Sequence, residues 1–377
     1  MDVVIKEISG KKQLKQFVRY PYLLYKNHPY HIPKLMFDEM TTLSKEKNPA
    51  FDHCESRYWL AYKNGEVVGR IAAILNNAFI KKWNKNYLRF GWFDFEEDEV
   101  VGRLLLKQVE DWAKEKNMDA VHGPLGFTDL DYEGMLIEGF DQRGTMATIY
   151  NHPYYPKSLE ICGYKKDTDW IEYRIKVPDS IPERIEQIAL NVEKRYDLKI
   201  IRTKKPKDLL PYAEEIFELI NSTYEELYGV VPLTKKQTAY YAKQYLSFLR
   251  TDFICMIADK NDKIISVGIS MPSLSAALQK SKGKLFPFGF IHLLKALKKN
   301  DAVDMLIVGI RKDFQNKGVN AILINEMGKA YISSNIKWAE TNPELEDNTK
   351  VQSLWQYFDA VQHKRRRCYI KYLRNES

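Results

Sequence analysis

The residues best suited to chemistry lie in one short stretch, Ile310-Arg311-Lys312-Asp313-Phe314-Gln315-Asn316-Lys317-Gly318-Val319-Asn320. It follows the apolar run Met305 to Gly309 and precedes a helix-period pattern from Val319 to Ser333. A turn entering a helix presents unpaired backbone N–H groups at the positive end of the helix dipole. That end favours a pyrophosphate. Gly318 permits a positive φ and close backbone approach. Arg311 and Lys317 supply countercharge.

A second chemical stretch is acidic and aromatic. The loop Phe127 to Tyr150 holds Asp129, Asp131 and Glu138, and Tyr154 follows it. Acids on a long loop suit a cationic or amine-bearing ligand; the other reading is a loop that packs its own aromatics. A third stretch is basic. Lys364-Arg365-Arg366-Arg367, with lysines between Lys280 and Lys299, reads as a phosphate-facing patch or a solvated face. Aromatics do not interleave with it as base-stacking platforms would, which argues against nucleic acid. His28 and His31 form an HxxH pair among prolines, and the four cysteines are scattered. Two ligands do not make a site, so no metal is expected.

The elements that position these residues occur twice. Trp59 to Ile71 reads as strand, Asn-Gly turn, strand, and Phe253 to Ile269 reads the same way. Gly69 and Gly268 correspond. Tyr87 to Phe95 feeds a helix from Glu99 to Asn117, as Ala302 to Ile310 feeds the helix from Val319. An amphipathic helix is predicted over Lys207 to Tyr228. Each half closes on a strand, Trp170 to Ile175 and Arg367 to Tyr372. Pro178 to Pro182 interrupts the pattern. The prediction is a duplicated α+β domain, residues 1–180 and 181–377.

Charge divides unevenly between these halves. Residues 1–180 hold 26 basic and 27 acidic side chains, and the remainder holds 32 and 23. The basic half suits RNA, a membrane surface or a phosphate-bearing cofactor. At the turn matching the phosphate cradle, the first half has Glu96-Glu97-Asp98-Glu99, which repels a pyrophosphate. No run of about 18 apolar residues exists, so no transmembrane helix is expected. The start does not read as a signal peptide. The expectation is a cytoplasmic protein with no membrane partner.

With these residues in view, the chain resembles a tandem of the GNAT acyltransferase superfamily, whose cradle motif is Gln/Arg-x-x-Gly-x-Gly/Ala. Gln315 and Gly318 match it, and Asn320 stands where Gly or Ala is usual. The resemblance implies two mixed, mostly antiparallel twisted sheets flanked by helices. It implies acetyl-CoA or another acyl-CoA held by Ile310, Arg311 and Gln315 through Asn320, and transfer to a small-molecule amine. The acidic loop of the first half, with Asp129, Asp131, Glu138 and Tyr154, would then be the acceptor side. A base near the central strands is implied, with Glu340 the candidate at a strand end. The family's closing Asn, Tyr, Gly-Phe pattern finds Asn151 and Gly163-Tyr164, but its Tyr falls on Leu159 and Trp355. Tyr357, two residues on, is the remaining candidate acid. A Fem-type transferase using aminoacyl-tRNA, or a non-catalytic ligand-binding protein of the same fold, are the alternatives.

Overall fold

The computed structural model describes residues 2–246 and 249–373. In chain order the strands are β1 (Val4–Glu7), β2 (Cys54–Lys63), β3 (Glu66–Asn76), β4 (Tyr87–Phe95), β5 (Ala120–Gly123), β6 (Met135–Glu138), β7 (Lys165–Lys176), β8 (Lys199–Ile201), β9 (Ile254–Ala258), β10 (Ile264–Pro272), β11 (Ala302–Ile310), β12 (Trp338–Thr341), β13 (Glu344–Leu345) and β14 (Ala360–Tyr372). The helices are α1 (Gly10–Leu24), α2 (Met36–Thr42), α3 (Asn77–Trp83), α4 (Glu99–Glu115), α5 (Tyr154–Ile161), α6 (Glu183–Tyr196), α7 (Ala213–Tyr224), α8 (Lys235–Tyr245), α9 (Ser275–Ser281), α10 (Gly289–Lys298), α11 (Val319–Ser333) and α12 (Thr349–Gln352). Among the described residues, no helix is long and apolar enough to cross a membrane.

The chain forms two compact units. One comprises Met1–Ile171, Leu274–Leu293 and His363–Ser377; the other comprises Glu172–Ser273 and Leu294–Gln362. In the first unit the strand order is β1-β2-β3-β4-β5-β14, with β6 also on β14. In the second it is β7-β12-β11-β10-β9-β8, with β13 also on β7. Each sheet therefore recruits a closing strand from the other repeat. Tyr369 of β14 pairs with Gly123, and Ile175 of β7 pairs with Ala339. The insertion at 274–293 likewise belongs to the first unit, through α9 and the start of α10.

The same local rules build both units. Asn64 and Gly65 have φ of 53° and 81°, the left-handed pair that a two-residue hairpin requires, and they join β2 to β3. Gly69 on β3 lets α4 approach: a Cβ there would lie 2.8 Å from Leu105 Cδ1. Gly268 on β10 does the same for α11, where a Cβ would lie 2.6 Å from Met327 Sδ. The paired glycines thus mark one packing device used twice. Phe90, Phe95, Leu105, Trp112 and Tyr155 fill the first core, and Val192, Ile257, Val303, Leu323 and Met327 the second.

One predicted helix is shorter than expected. Pro206–Tyr212 is a 3-10 turn, and α7 begins only at Ala213. Pro211 has no N–H to donate into an α-helical ladder, so regular helix starts after it.

Candidate functional site

In each unit one parallel strand pair sets the geometry. β4 and β5 pair from Tyr87↔Ala120 to Arg89↔His122, and β11 and β12 from Ala302↔Trp338 to Met305↔Thr341. β4 and β11 then run on toward a helix, α4 or α11. In the first unit Trp92 has φ of 45°, which kinks β4 just past the paired segment. In the second unit Asn342 follows β12 and donates through N to Met305 O at 3.1 Å and through Nδ2 to Leu306 O at 2.8 Å.

The turn from β11 to α11 is built as a cradle. Asn316 and Gly318 have φ of 59° and 82°, and Gly318 is the N-cap of α11. Among the described residues, no side chain caps that end. The first N–H groups of the helix have no intrahelical acceptor, so they can serve an anion. A Cβ on Gly318 would meet Val192 Cγ2 at 2.9 Å. Gln315 braces the turn, its Nε2 donating to Ile310 O at 3.1 Å. Val319 is buried behind the turn and Asn320 is half-buried in the first helical turn. Arg311 is also a brace: it donates to Asp313 Oδ1 at 2.7 Å and to Asp259 Oδ2 at 3.1 Å. Lys317, next to Gly318 in the chain, is exposed, with its Nζ 5.0 Å over the Phe314 ring.

The matching end of α4 is already filled. Asp98 is its N-cap, and Asp98 Oδ1 accepts from Val100 N at 2.9 Å. Lys63 Nζ donates to Asp98 Oδ2 at 2.9 Å, which holds the Asp98 carboxyl below its ordinary range. Nearby backbone is filled too. Tyr155 Oη accepts from Phe95 N at 3.0 Å and donates to Phe95 O at 3.2 Å, and Tyr154 Oη also donates to Phe95 O. A carboxylate and two phenols stand where the second unit leaves donors open.

No family model matches the chain. It is 27% identical over 375 residues to Protein YghO of Escherichia coli strain K12, covering 98% of this chain and 95% of that one. It is 26% identical over 387 residues to a bacterial ceramide synthase of Caulobacter vibrioides, covering 99% and 98%. Among solved structures it superposes on a tandem GNAT protein from the clavulanic acid biosynthesis pathway with TM-score 0.58 at 10% identity, over 100% of both chains. It matches a GCN5-related glucosamine N-acetyltransferase region of a fungal β-N-acetylglucosaminidase with TM-score 0.55 at 11% identity, over 98% of this chain and 38% of that one. The fold is that of a tandem GNAT protein.

Within this tandem GNAT fold the expected residues are placed unequally. The expected cofactor residues, Ile310 through Asn320, share one turn of the second unit. Glu340 lies mid-strand on β12, in register with Asp304 of β11 and Arg174 of β7. Tyr357 ends a 3-10 helix, Ser353–Tyr357, and is 62% exposed. The same helix buries Trp355, whose Nε1 donates to Glu344 Oε1 at 3.0 Å. Burial pushes the Glu344 carboxyl up to about 7. Glu344 was not singled out in the sequence, because Asn342-Pro343-Glu344 reads as an ordinary turn and the covering indole arrives from outside it.

The acidic loop does not form one receptacle. Asp131 Oδ2 accepts from Phe127 N at 2.9 Å and Thr128 N at 3.0 Å, so it staples its own turn. Burial pushes the Asp129 and Asp131 carboxyls up to about 6. Glu138 is exposed and faces Arg365 at 3.5 Å. Tyr154 belongs to the Phe95 cluster described above. The basic run is not a phosphate-facing patch either. Lys364 and Arg366 are buried, while Arg367 Nε and Arg365 Nη1 bond to Asp169 at 2.8 and 3.1 Å. Strand alternation turns every second member inward.

A cavity of about 70 Å³ opens instead beside β4, lined by Lys34, Glu39, Arg70, Trp92, Asp94 and Tyr155 among others. Arg70 and Asp94 form a buried ion pair at 2.7 Å. Trp92 Nε1 donates to Glu39 Oε2 at 2.9 Å, and burial raises the Glu39 carboxyl. Lys34 Nζ donates to Met146 O and Thr148 O at 2.7 and 2.6 Å, and burial brings its ammonium down to about 7. His122, Asp167 and Cys368 are far apart in the sequence, and their potential ligand atoms gather within 4.8 Å of one another.

Proposed function

We propose that the protein is an acyl-CoA-dependent N-acyltransferase whose second unit holds the cofactor. The observation that carries this reading is the uncapped start of α11 behind a left-handed Gly318, set against the Asp98-capped start of α4. Val319 and Asn320 would present backbone N–H groups to the pyrophosphate, with Lys317 as countercharge. When bound, acyl-CoA supplies an activated thioester carbonyl. The protein must then deprotonate an acceptor ammonium. A carboxyl near neutrality is matched to that task, and Glu344 has one. Glu344 therefore joins Glu340, mid-strand on β12, as a candidate base. Tyr357, exposed on the helix that carries Trp355, stays the candidate donor to the leaving thiolate.

The relative at 26% identity supports one acceptor class. A ceramide is the amide of a long-chain amino alcohol, so an acceptor amine on a lipid-like chain is the reading we favour. Calorimetry with coenzyme A on the wild type and on Gly318→Glu tests the cofactor. Thiol release from a long-chain acyl-CoA with sphinganine as acceptor tests the transfer. No heat with the wild type, or equal heat with both proteins, would sink the cofactor assignment; no thiol release would sink the acceptor class.

The cavity beside β4 favours a second, compatible reading for the first unit. Its two cationic and two acidic side chains balance, which suits a small zwitterionic or polar group rather than a phosphate. A thermal-shift screen of amino acids and amino alcohols checks it, and a flat response from both classes would dismiss it.

A further inference from the structure

The segment 271–300 carries no Asp or Glu and six lysines, at 280, 282, 284, 295, 298 and 299. Among the described residues none of these lysines makes an ion pair. Between the two lysine groups the chain exposes large apolar side chains. Phe286 is 79% exposed, Phe288 69%, Phe290 40%, Ile291 37% and Leu294 59%. Phe290 and Leu294 are four residues apart on α10, so they share a face. The Phe286 and Phe290 rings sit 6.2 Å apart. Soluble proteins rarely leave five large apolar side chains together in water without use for them.

The base of this projection is fixed. Gln279 Nε2 donates to Pro29 O at 2.8 Å and to His31 O at 3.1 Å, and Met36 N donates to Gly283 O at 3.3 Å. Gly283 has φ of 66°, and a Cβ there would lie 2.3 Å from Lys34 O. Ala277 and Leu278 are buried. The polypeptide is held firmly up to Gly283, and the aromatic tip follows directly.

We propose that this projection seats the protein on an anionic membrane surface, with Phe286, Phe288 and Phe290 entering the headgroup–acyl boundary and Lys280, Lys282 and Lys284 meeting lipid phosphates. Aromatic rings and lysines are the side chains that the interface favours. The absence of any acid over thirty residues is the complement of a negative surface. The expectation of no membrane partner rested on the lack of a spanning run, and a surface seat needs none. The proposal is independent of the acyl-transfer reading.

Co-sedimentation of the full chain with vesicles tests it, comparing phosphatidylcholine alone with a mixture containing phosphatidylglycerol. The wild type should partition to the anionic vesicles and be released by salt. The double variant Phe286→Ser/Phe288→Ser should lose at least tenfold in partitioning. The triple variant Lys280→Gln/Lys282→Gln/Lys284→Gln should lose about a hundredfold, at roughly fivefold per lysine near the surface. All these side chains are exposed, so melting temperatures should match the wild type. Absence of binding to anionic vesicles would overturn the proposal, as would binding that the phenylalanine substitutions leave intact. Sedimentation velocity showing a self-associated species that the same variants disperse, without vesicle binding, would assign the patch to a second copy and also overturn it.

Discussion

Replacing Gly318 by Ala separates the backbone from the ligand in the proposed cradle. At φ of 82° a residue with a Cβ is strained by roughly 1–2 kcal/mol. A stiffer unfolded chain returns about 0.4–1 kcal/mol of that. The new methyl also meets Val192 Cγ2 at 2.9 Å, well inside normal carbon contact, so α6 or α11 must shift. Such overpacking adds about 1 kcal/mol. The total is near 2 kcal/mol. Gly163 supplies the control. Its φ is 85°, but among the described residues a Cβ there would find only Lys371 Cε at 3.8 Å. Gly163→Ala should therefore lose about 1 kcal/mol, the backbone part alone.

For units of this size the two variants should melt about 4–8 °C and 2–4 °C below the wild type. Calorimetric titration with coenzyme A should then show at least a tenfold weaker Kd for Gly318→Ala and an unchanged Kd for Gly163→Ala. Equal affinity in Gly318→Ala and wild type would refute the cradle. Equal melting losses in the two variants would refute the contact with Val192.

Glu344→Gln should abolish transfer yet stabilise the fold at alkaline pH. The folded carboxyl is raised from 4.5 to about 7, so it carries no penalty below pH 4.5, a growing one up to pH 7, and a constant one above. Removing the charge should gain up to about 3 kcal/mol at pH 8 and nothing at pH 4, read from denaturation at both pH values. Asp94→Asn leaves the buried Arg70 guanidinium without its counterion, and should lower stability by about 3–5 kcal/mol in urea melts. Gly69→Val and Gly268→Val should each disrupt the seat of a helix on its sheet, with losses above about 2 kcal/mol and weaker protection from proteolysis.

What the sequence revealed is what short-range geometry determines. The hairpin at Asn64-Gly65, the paired glycines 69 and 268, and the turn at Gly318 depend on backbone shape, which neighbouring residues report. The helix Val319–Ser333 was legible to the residue for the same reason. What it concealed depends on burial by distant segments. Glu344 becomes a near-neutral acid because it is buried, and the Trp355 hydrogen bond works against that rise. Asp131 looks like a ligand on paper and is a turn staple in space. The strand exchange that closes both sheets leaves no mark in either repeat, since a closing strand reads alike whichever sheet receives it.

That exchange also changes the meaning of the charge. By sequence halves the excess sits in residues 181–377. By compact unit it reverses: the first unit holds 33 basic and 26 acidic residues, the second 25 and 24. The second unit, with the proposed cradle, is thus nearly neutral, and its anion site depends on local N–H groups rather than a general field. The first unit gains its excess from the last strand and from 274–293. The strand's charges are internally spent: Lys364 and Arg366 are buried, Arg365 and Arg367 bond to Asp169, and Lys371 bonds to Glu110 at 2.9 Å. Lys280, Lys282 and Lys284 are not. They stand beside the exposed phenylalanines, so the free positive charge and the free apolar surface coincide. A phosphate-bearing small molecule would need only the charge; a lipid surface needs both.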